Sequence, residues 1–107
     1  MRRDIFNAIA DVTRRDILLS LIDQKQNVSA LAKKFDITRQ AVSLHVKYLH
    51  ECGVITIQQE GRERICNLEA NKLTEIADWL KPFRQLWENR FSQLDHALEN
   101  IKTNQKK

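Results

Sequence analysis

Glycine and proline are nearly missing from this chain, with two glycines and one proline in 107 residues. So little turn chemistry excludes long loops and serial hairpins, and the expected fold is mainly α with one small β-hairpin. Cysteine is equally scarce. Cys52 and Cys66 belong to no CxxC and no Cys/His cluster, which favours two reduced thiols packed as small apolar residues over a redox pair. No apolar run approaches the roughly 20 residues that cross a bilayer. The opening MRRDIFNAIAD lacks the apolar core and cleavage site of a signal peptide, so the expected location is the cytoplasm, with no membrane partner. There is also no Ser/His/Asp or Cys/His set, no paired carboxylates and no phosphate-binding glycine loop, which argues against an enzyme and against a cofactor.

What the chain does have is unevenly placed positive charge. Residues 1–50 hold nine Lys/Arg against five Asp/Glu, which accounts for the whole net charge of +4. A basic half suits a polyanion. By length, residues 1–107 form one domain, and a domain this small buries a low fraction of its surface unless a partner covers more.

The most informative stretch is NVSALAKKFDITRQAVSLHVKYLHECG, residues 27–53, which has the pattern of a helix-turn-helix over about 28–52. Val28, Leu31, Ala32 and Phe35 make one apolar stripe, and Val42, Val46 and Leu49 make a second. Between them Asp36 takes a bend where glycine is common and Ile37 plugs the turn, while Thr38 N-caps the second helix and Gly53 stops it. With Val42 inward, the 100° helical step turns Gln40, Ser43, Leu44, Lys47 and Glu51 outward, with Arg39 at the leading end. Arg39 and Gln40 suit bidentate bonds to guanine and adenine, Ser43 a base or phosphate, Leu44 a thymine methyl, and Lys47 a phosphate. A plain solvated face is the competing reading, but the preceding helix, turn and cap favour DNA. His45, at the edge of the stripe, is either a satisfied half-buried histidine or a phosphate ligand.

Upstream, Ile5, Phe6, Ile9 and Ala10 predict a first helix over 3–10, ended by the Asp11-Val12-Thr13 corner. Thr13 with Asp16 reads as a capping box for a second helix whose buried stripe is Ile17, Leu18, Leu21 and Ile22. Arg14 and Arg15 at its start oppose the helix dipole and call for partners, acidic side chains or phosphate. Residues 24–27 read as a polar loop.

Downstream, VITIQQ and ERICNL flank a glycine turn and predict a hairpin wing over about 54–68. Arg62 and Arg64 could reach the DNA backbone or minor groove, although Glu60 and Glu63 keep a merely solvated turn in play. Alternation places Cys66 and Leu68 on the core face and Ile65 opposite. A long helix follows over about 71–102, which Pro82 should bend or restart. Its heptad seam and the amphipathic first helix predict dimerisation through the terminal helices, with Ile5, Phe6, Ile9, Phe83, Trp87, Phe91, Leu94 and Leu98 as contacts. The tail 103–107 is expected to fray.

The segments AIADVTRRDIL, AVSLHVKYLHECGVI and GRERICNL resemble the ArsR-type winged helix-turn-helix repressors, and the resemblance extends over nearly the whole chain. The tail DWLKPFRQLWENRFSQLDHAL is similar to a subgroup often encoded beside START-like proteins. The resemblance implies a dimeric repressor reading a palindrome in double-stranded DNA near its own promoter. Thr38, Arg39, Gln40, Ser43, His45 and Lys47 would make the contacts, with Arg62 and Arg64 in the wing. Three departures stand out. Val12 replaces the usual proline, Cys66 replaces a frequent tyrosine, and the helix VSALAKKF lacks the thiolate pair of metal-sensing members. His96 and Glu99 retain a fragment of the family's other metal site, but Phe83 and Gln85 occupy the matching positions and cannot complete a ligand set. A winged-helix protein-interaction module remains an alternative, as does a repressor gated by its thiols or by a small-molecule inducer.

Overall fold

The computed structural model describes residues 3–105, and the chain divides into one compact unit ending at Ile76 and another beginning at Ala77. The first unit contains α1 (Ile5–Ala8), α2 (Val12–Ser20), β1 (Gln26–Asn27), α3 (Val28–Phe35), α4 (Arg39–Glu51), β2 (Ile55–Glu60), β3 (Glu63–Leu68) and a 3-10 turn (Ala70–Leu73). A last helix, α5 (Thr74–Gln105), begins there and supplies the described part of the second unit.

α1 is a single turn, shorter than expected. Asp4 and Asn7 close a reciprocal capping box at 3.0 Å each, which satisfies two amide donors at the start of the helix. α2 starts earlier than its sequence suggests. Its N-cap is Asp11, whose carboxylate accepts the Arg14 amide at 3.0 Å, so Thr13 lies inside the helix and makes no box with Asp16. Ile17, Leu18 and Leu21 are buried as predicted, but Ile22 is 62% exposed. The helix ends at Ser20, and beyond its Leu21 cap the 3.6-residue period no longer aims a side chain inward.

The sheet is antiparallel in the order β1-β3-β2. Register pairs Glu60 with Glu63 and leaves Gly61 and Arg62 as a two-residue turn, where Gly61 supplies the positive φ of 62° that a tight hairpin needs. The supposed loop at residues 24–27 contributes β1, since Gln26 and Asn27 pair with Cys66 and Ile65. Two polar residues carry no strand pattern of their own; the open edge of β3 recruits them. Flanked on both sides, β3 buries Ile65 as well as Cys66, although only Cys66 and Leu68 pack with the core cluster.

That core is wholly apolar. Ile5, Ile17, Leu31, Val42, Val46, Leu49, Val54, Ile55 and Cys66 are fully buried, and no polar side chain among the described residues is. Each buried aliphatic side chain contributes about 1.5–3 kcal/mol. Ile5 is therefore committed to its own unit and offers no surface to a second subunit, whereas Phe6 is 41% exposed and Ile9 half-buried.

In the second unit α5 runs through Pro82 as one element, so the proline does not restart it. Proline lacks one N–H, and the turns on either side keep their own bonds. Phe83, Leu86, Trp87, Phe91, Leu94, Leu98 and Ile101 are all exposed along it. Residues 103–105, expected to fray, are helical in their backbone; 106 and 107 lie outside the described residues. Among the described residues no helix is long and apolar enough to cross a membrane.

Candidate nucleic-acid interface

The helix-turn-helix is built as its sequence predicts. α3 ends at Asp36, the one non-glycine residue among those described with a positive φ, at 53°. This left-handed kink lets the Ile37 amide donate to the Ala32 carbonyl at 3.2 Å and turns the chain toward α4. Thr38 Oγ1 accepts the Ala41 amide at 3.1 Å, and Gly53 ends the segment at φ 82°.

Val42, Val46 and Leu49 anchor α4 in the core, and the opposite side stays outward. Arg39, Gln40, Ser43, Leu44 and Lys47 line one open concavity of about 600 Å³, and Arg64 from the wing completes it. Three cations, two hydrogen-bonding side chains and one apolar contact thus share one face with no carboxylate in its lining. A surface of this composition can hold phosphate by charge and present a bidentate donor set to base edges.

Three of the expected contacts lie elsewhere. Thr38 is exposed, and its hydroxyl oxygen accepts the capping bond. Arg62 is exposed at the hairpin turn, which Gln59 braces by donating to the Gly61 carbonyl at 3.0 Å. His45 is half-buried, with Nδ1 3.9 Å from Asp11 Oδ2.

Behind α4 lies a cluster that sequence reasoning missed. The Arg3 and Arg14 guanidinium carbons sit 3.9 and 4.1 Å from the centroid of the Tyr48 ring. Arg14 donates from Nε to the Ala8 carbonyl at 3.0 Å and from Nη2 to the Asn7 carbonyl at 2.9 Å. Arg15 donates to the Ile9 carbonyl at 2.7 Å. The two arginines therefore find the carbonyl end of α1, and the Arg14 charge also acts on the Asp11 carboxylate, one of the acidic partners expected. Only the unfavourable placement at the start of α2 hinted at this in the sequence.

Both thiols are buried, and burial pushes the pKa of Cys52 and of Cys66 above the usual thiol range. Among the described residues no group of three or more His, Cys, Asp or Glu is gathered so as to hold a metal ion.

Residues 11–56 match the sequence profile described as "Bacterial regulatory protein, arsR family". The chain is 29% identical over 80 residues to the transcriptional repressor SdpR of Bacillus subtilis (strain 168), covering 75% of this chain and 89% of SdpR. It is 35% identical over 68 residues to the uncharacterized HTH-type transcriptional regulator YuzN of the same organism, covering 57% of this chain and 74% of YuzN. Among solved structures, the ArsR family transcriptional regulator RHA00566 superposes with a TM-score of 0.69 at 38% identity, over 78% of this chain and 87% of that one. With a recognition helix and wing framing one basic face, and with relatives of this kind, the chain belongs to the ArsR family of winged helix-turn-helix transcriptional regulators, which are DNA-binding proteins and not enzymes.

Proposed function

We propose that the protein is a homodimeric repressor that binds an inverted repeat near its own promoter. The observation that carries this reading is the concavity in which Arg64 of the wing joins Arg39, Gln40, Ser43, Leu44 and Lys47 of α4. Arg39 and Gln40 read base edges, and Ser43 and Leu44 supplement them. Lys47, Arg62 and Arg64 hold the backbone, with Thr38 and His45 at the margin of the contact. SdpR, a similar protein, is named a repressor, which supports repression over activation.

Dimerisation is the second part of the proposal. The apolar row on α5 that includes Phe83, Trp87, Phe91, Leu94 and Leu98 is exposed in the single chain, and in the first unit Phe6 is exposed and Ile9 half-buried. A row this long favours a two-fold seam, which places two reading helices at half-sites about one helical turn apart. Residues 1–107 then work as one winged helix-turn-helix domain, in the cytoplasm, with α5 as its pairing element.

The regulator belongs on this reading with the members that do not sense metal, since α3 carries no cysteine. The tail's likeness to regulators encoded beside START-like proteins leaves a small-molecule inducer as the gating signal. Thiol gating has less support, because both cysteines are buried as protonated thiols. A gel-shift series on the DNA upstream of the gene is the test. The expected result is retardation of one inverted repeat, with log affinity falling steeply against log salt. Equal, weak binding to every duplex would sink the proposal.

A further inference from the structure

Tyr48 sits one residue beyond Lys47 on α4 but is half-buried and turned away from the concavity that holds Lys47. Its ring is where three parts of the chain meet. Arg3, ahead of α1, lies 3.9 Å from the ring centroid and donates from Nε to Glu51 Oε2 at 2.6 Å. Arg14, in the first turn of α2, lies 4.1 Å from the same centroid while its nitrogens hold the Asn7 and Ala8 carbonyls. An aromatic ring has a negative face and attracts a cation placed over it, so one tyrosine here binds two guanidiniums that would otherwise repel. A shallow hollow of about 240 Å³, lined by Arg3, Leu44, Lys47, Tyr48 and Glu51, adjoins this cluster and shares Leu44 and Lys47 with the reading face.

From this arrangement we infer that Tyr48 is a positioning residue for DNA reading, clamped by Arg3 and Arg14 so that the recognition helix is held in register with α1 and α2. Val42, Val46 and Leu49 bury α4 along one stripe, so a side chain held off that stripe resists rotation of the helix about it. The clamp lies to one side of the stripe and opposes that rotation. Phosphate contacts by Lys47 or Arg64 tolerate a small rotation, but bidentate base contacts by Arg39 and Gln40 do not. If the competent orientation is populated for only a fraction of the time, cognate affinity falls by that fraction while non-specific affinity stays the same.

The inference rests on the DNA-reading proposal, and one experiment separates their failures. Wild-type protein is used to select duplexes from a random-sequence pool, and affinities for the selected duplex and a scrambled one are compared across variants. If the wild type selects nothing, the DNA reading fails and the clamp with it. With a selected duplex in hand, Tyr48→Leu keeps apolar bulk but removes the π face. It is expected to lower the cognate-to-scrambled affinity ratio about tenfold, with a thermal midpoint within a few degrees of wild type. Tyr48→Phe keeps the π face and restores the ratio. Arg3→Gln, which leaves the core untouched, moves the ratio in the same direction by less and serves if Tyr48→Leu does not fold. A purely structural tyrosine would weaken both duplexes in parallel with the loss of folded protein. That outcome, or a ratio unchanged in both Tyr48→Leu and Arg3→Gln, overturns the clamp.

Discussion

Asp11 Oδ2 lies 3.9 Å from Nδ1 of His45, so the residue that caps α2 also faces the inner side of the recognition helix. The amide of Arg14, donated to the Asp11 carboxylate, holds its pKa below the ordinary carboxylate value, with the Arg14 and His45 charges helping and partial desolvation opposing. A depressed carboxylate pKa contributes stability that is present above the unfolded pKa and lost as pH falls through the folded one. The thermal midpoint is therefore expected to drop on acidification below about pH 4, and Asp11→Asn, an equally good cap that does not titrate, to drop less. Parallel pH curves for the two proteins would remove Asp11 from the account.

Base readers and phosphate holders differ in how they fail. Arg39→Ala and Gln40→Ala are each expected to cost about 1–3 kcal/mol on the preferred duplex and to relax preference at one position. Arg64→Ala should weaken all duplexes alike and reduce the slope of log affinity against log salt by about one. Competition binding at several salt concentrations distinguishes the two patterns.

The turn between α3 and α4 depends on a left-handed residue, Asp36 at φ 53° and ψ 47°. Asp36→Gly should be neutral or slightly stabilising, whereas Asp36→Val should cost about 1–2 kcal/mol or more because a β-branched side chain crowds the following carbonyl there. Urea denaturation of both variants reads the difference directly.

Phe91 and Leu94 are 67% and 53% exposed on α5. Phe91→Glu with Leu94→Glu is expected to yield a monomer in sedimentation equilibrium, because two buried carboxylates would oppose their two-fold copies. The same protein should bind a single half-site and lose affinity for the full repeat. A dimer that survives both changes would move the seam elsewhere.

Cys52 and Cys66 are 2% and 0% exposed, and burial raises both pKa values. Alkylation should therefore be slow in the native protein and fast in denaturant, and the wild type, like the thiol-free Cys52→Ala with Cys66→Ala, should bind DNA equally well before and after oxidant treatment. Rapid native labelling of either thiol would revive redox gating.

Several elements were legible because their cause is local. The spacing of Val42, Val46 and Leu49, the cap at Thr38 and the kink at Asp36 follow from helical period and backbone preference, and each is seen where the residues put it. The hairpin follows from Gly61 between two β-branched runs. Other features depend on what a residue meets from far along the chain. Gln26 and Asn27 become a strand only because β3 offers an edge. Ile22 loses its place in the core because α2 stops two residues earlier.

The sequence by itself determined that a helix-turn-helix would form, which face of its second helix would stay outside, and that a hairpin carrying Arg62 and Arg64 would follow. Side-chain period and turn chemistry act between near neighbours and need no knowledge of the whole. Only the tertiary structure decided that Arg64 would share a concavity with Arg39 and Gln40 while Arg62 would not, and that Ile5 would be spent inside the fold. It also decided that Arg3 and Arg14 would converge on Tyr48. Those outcomes depend on distances between residues far apart in the chain, which packing sets and local preference does not.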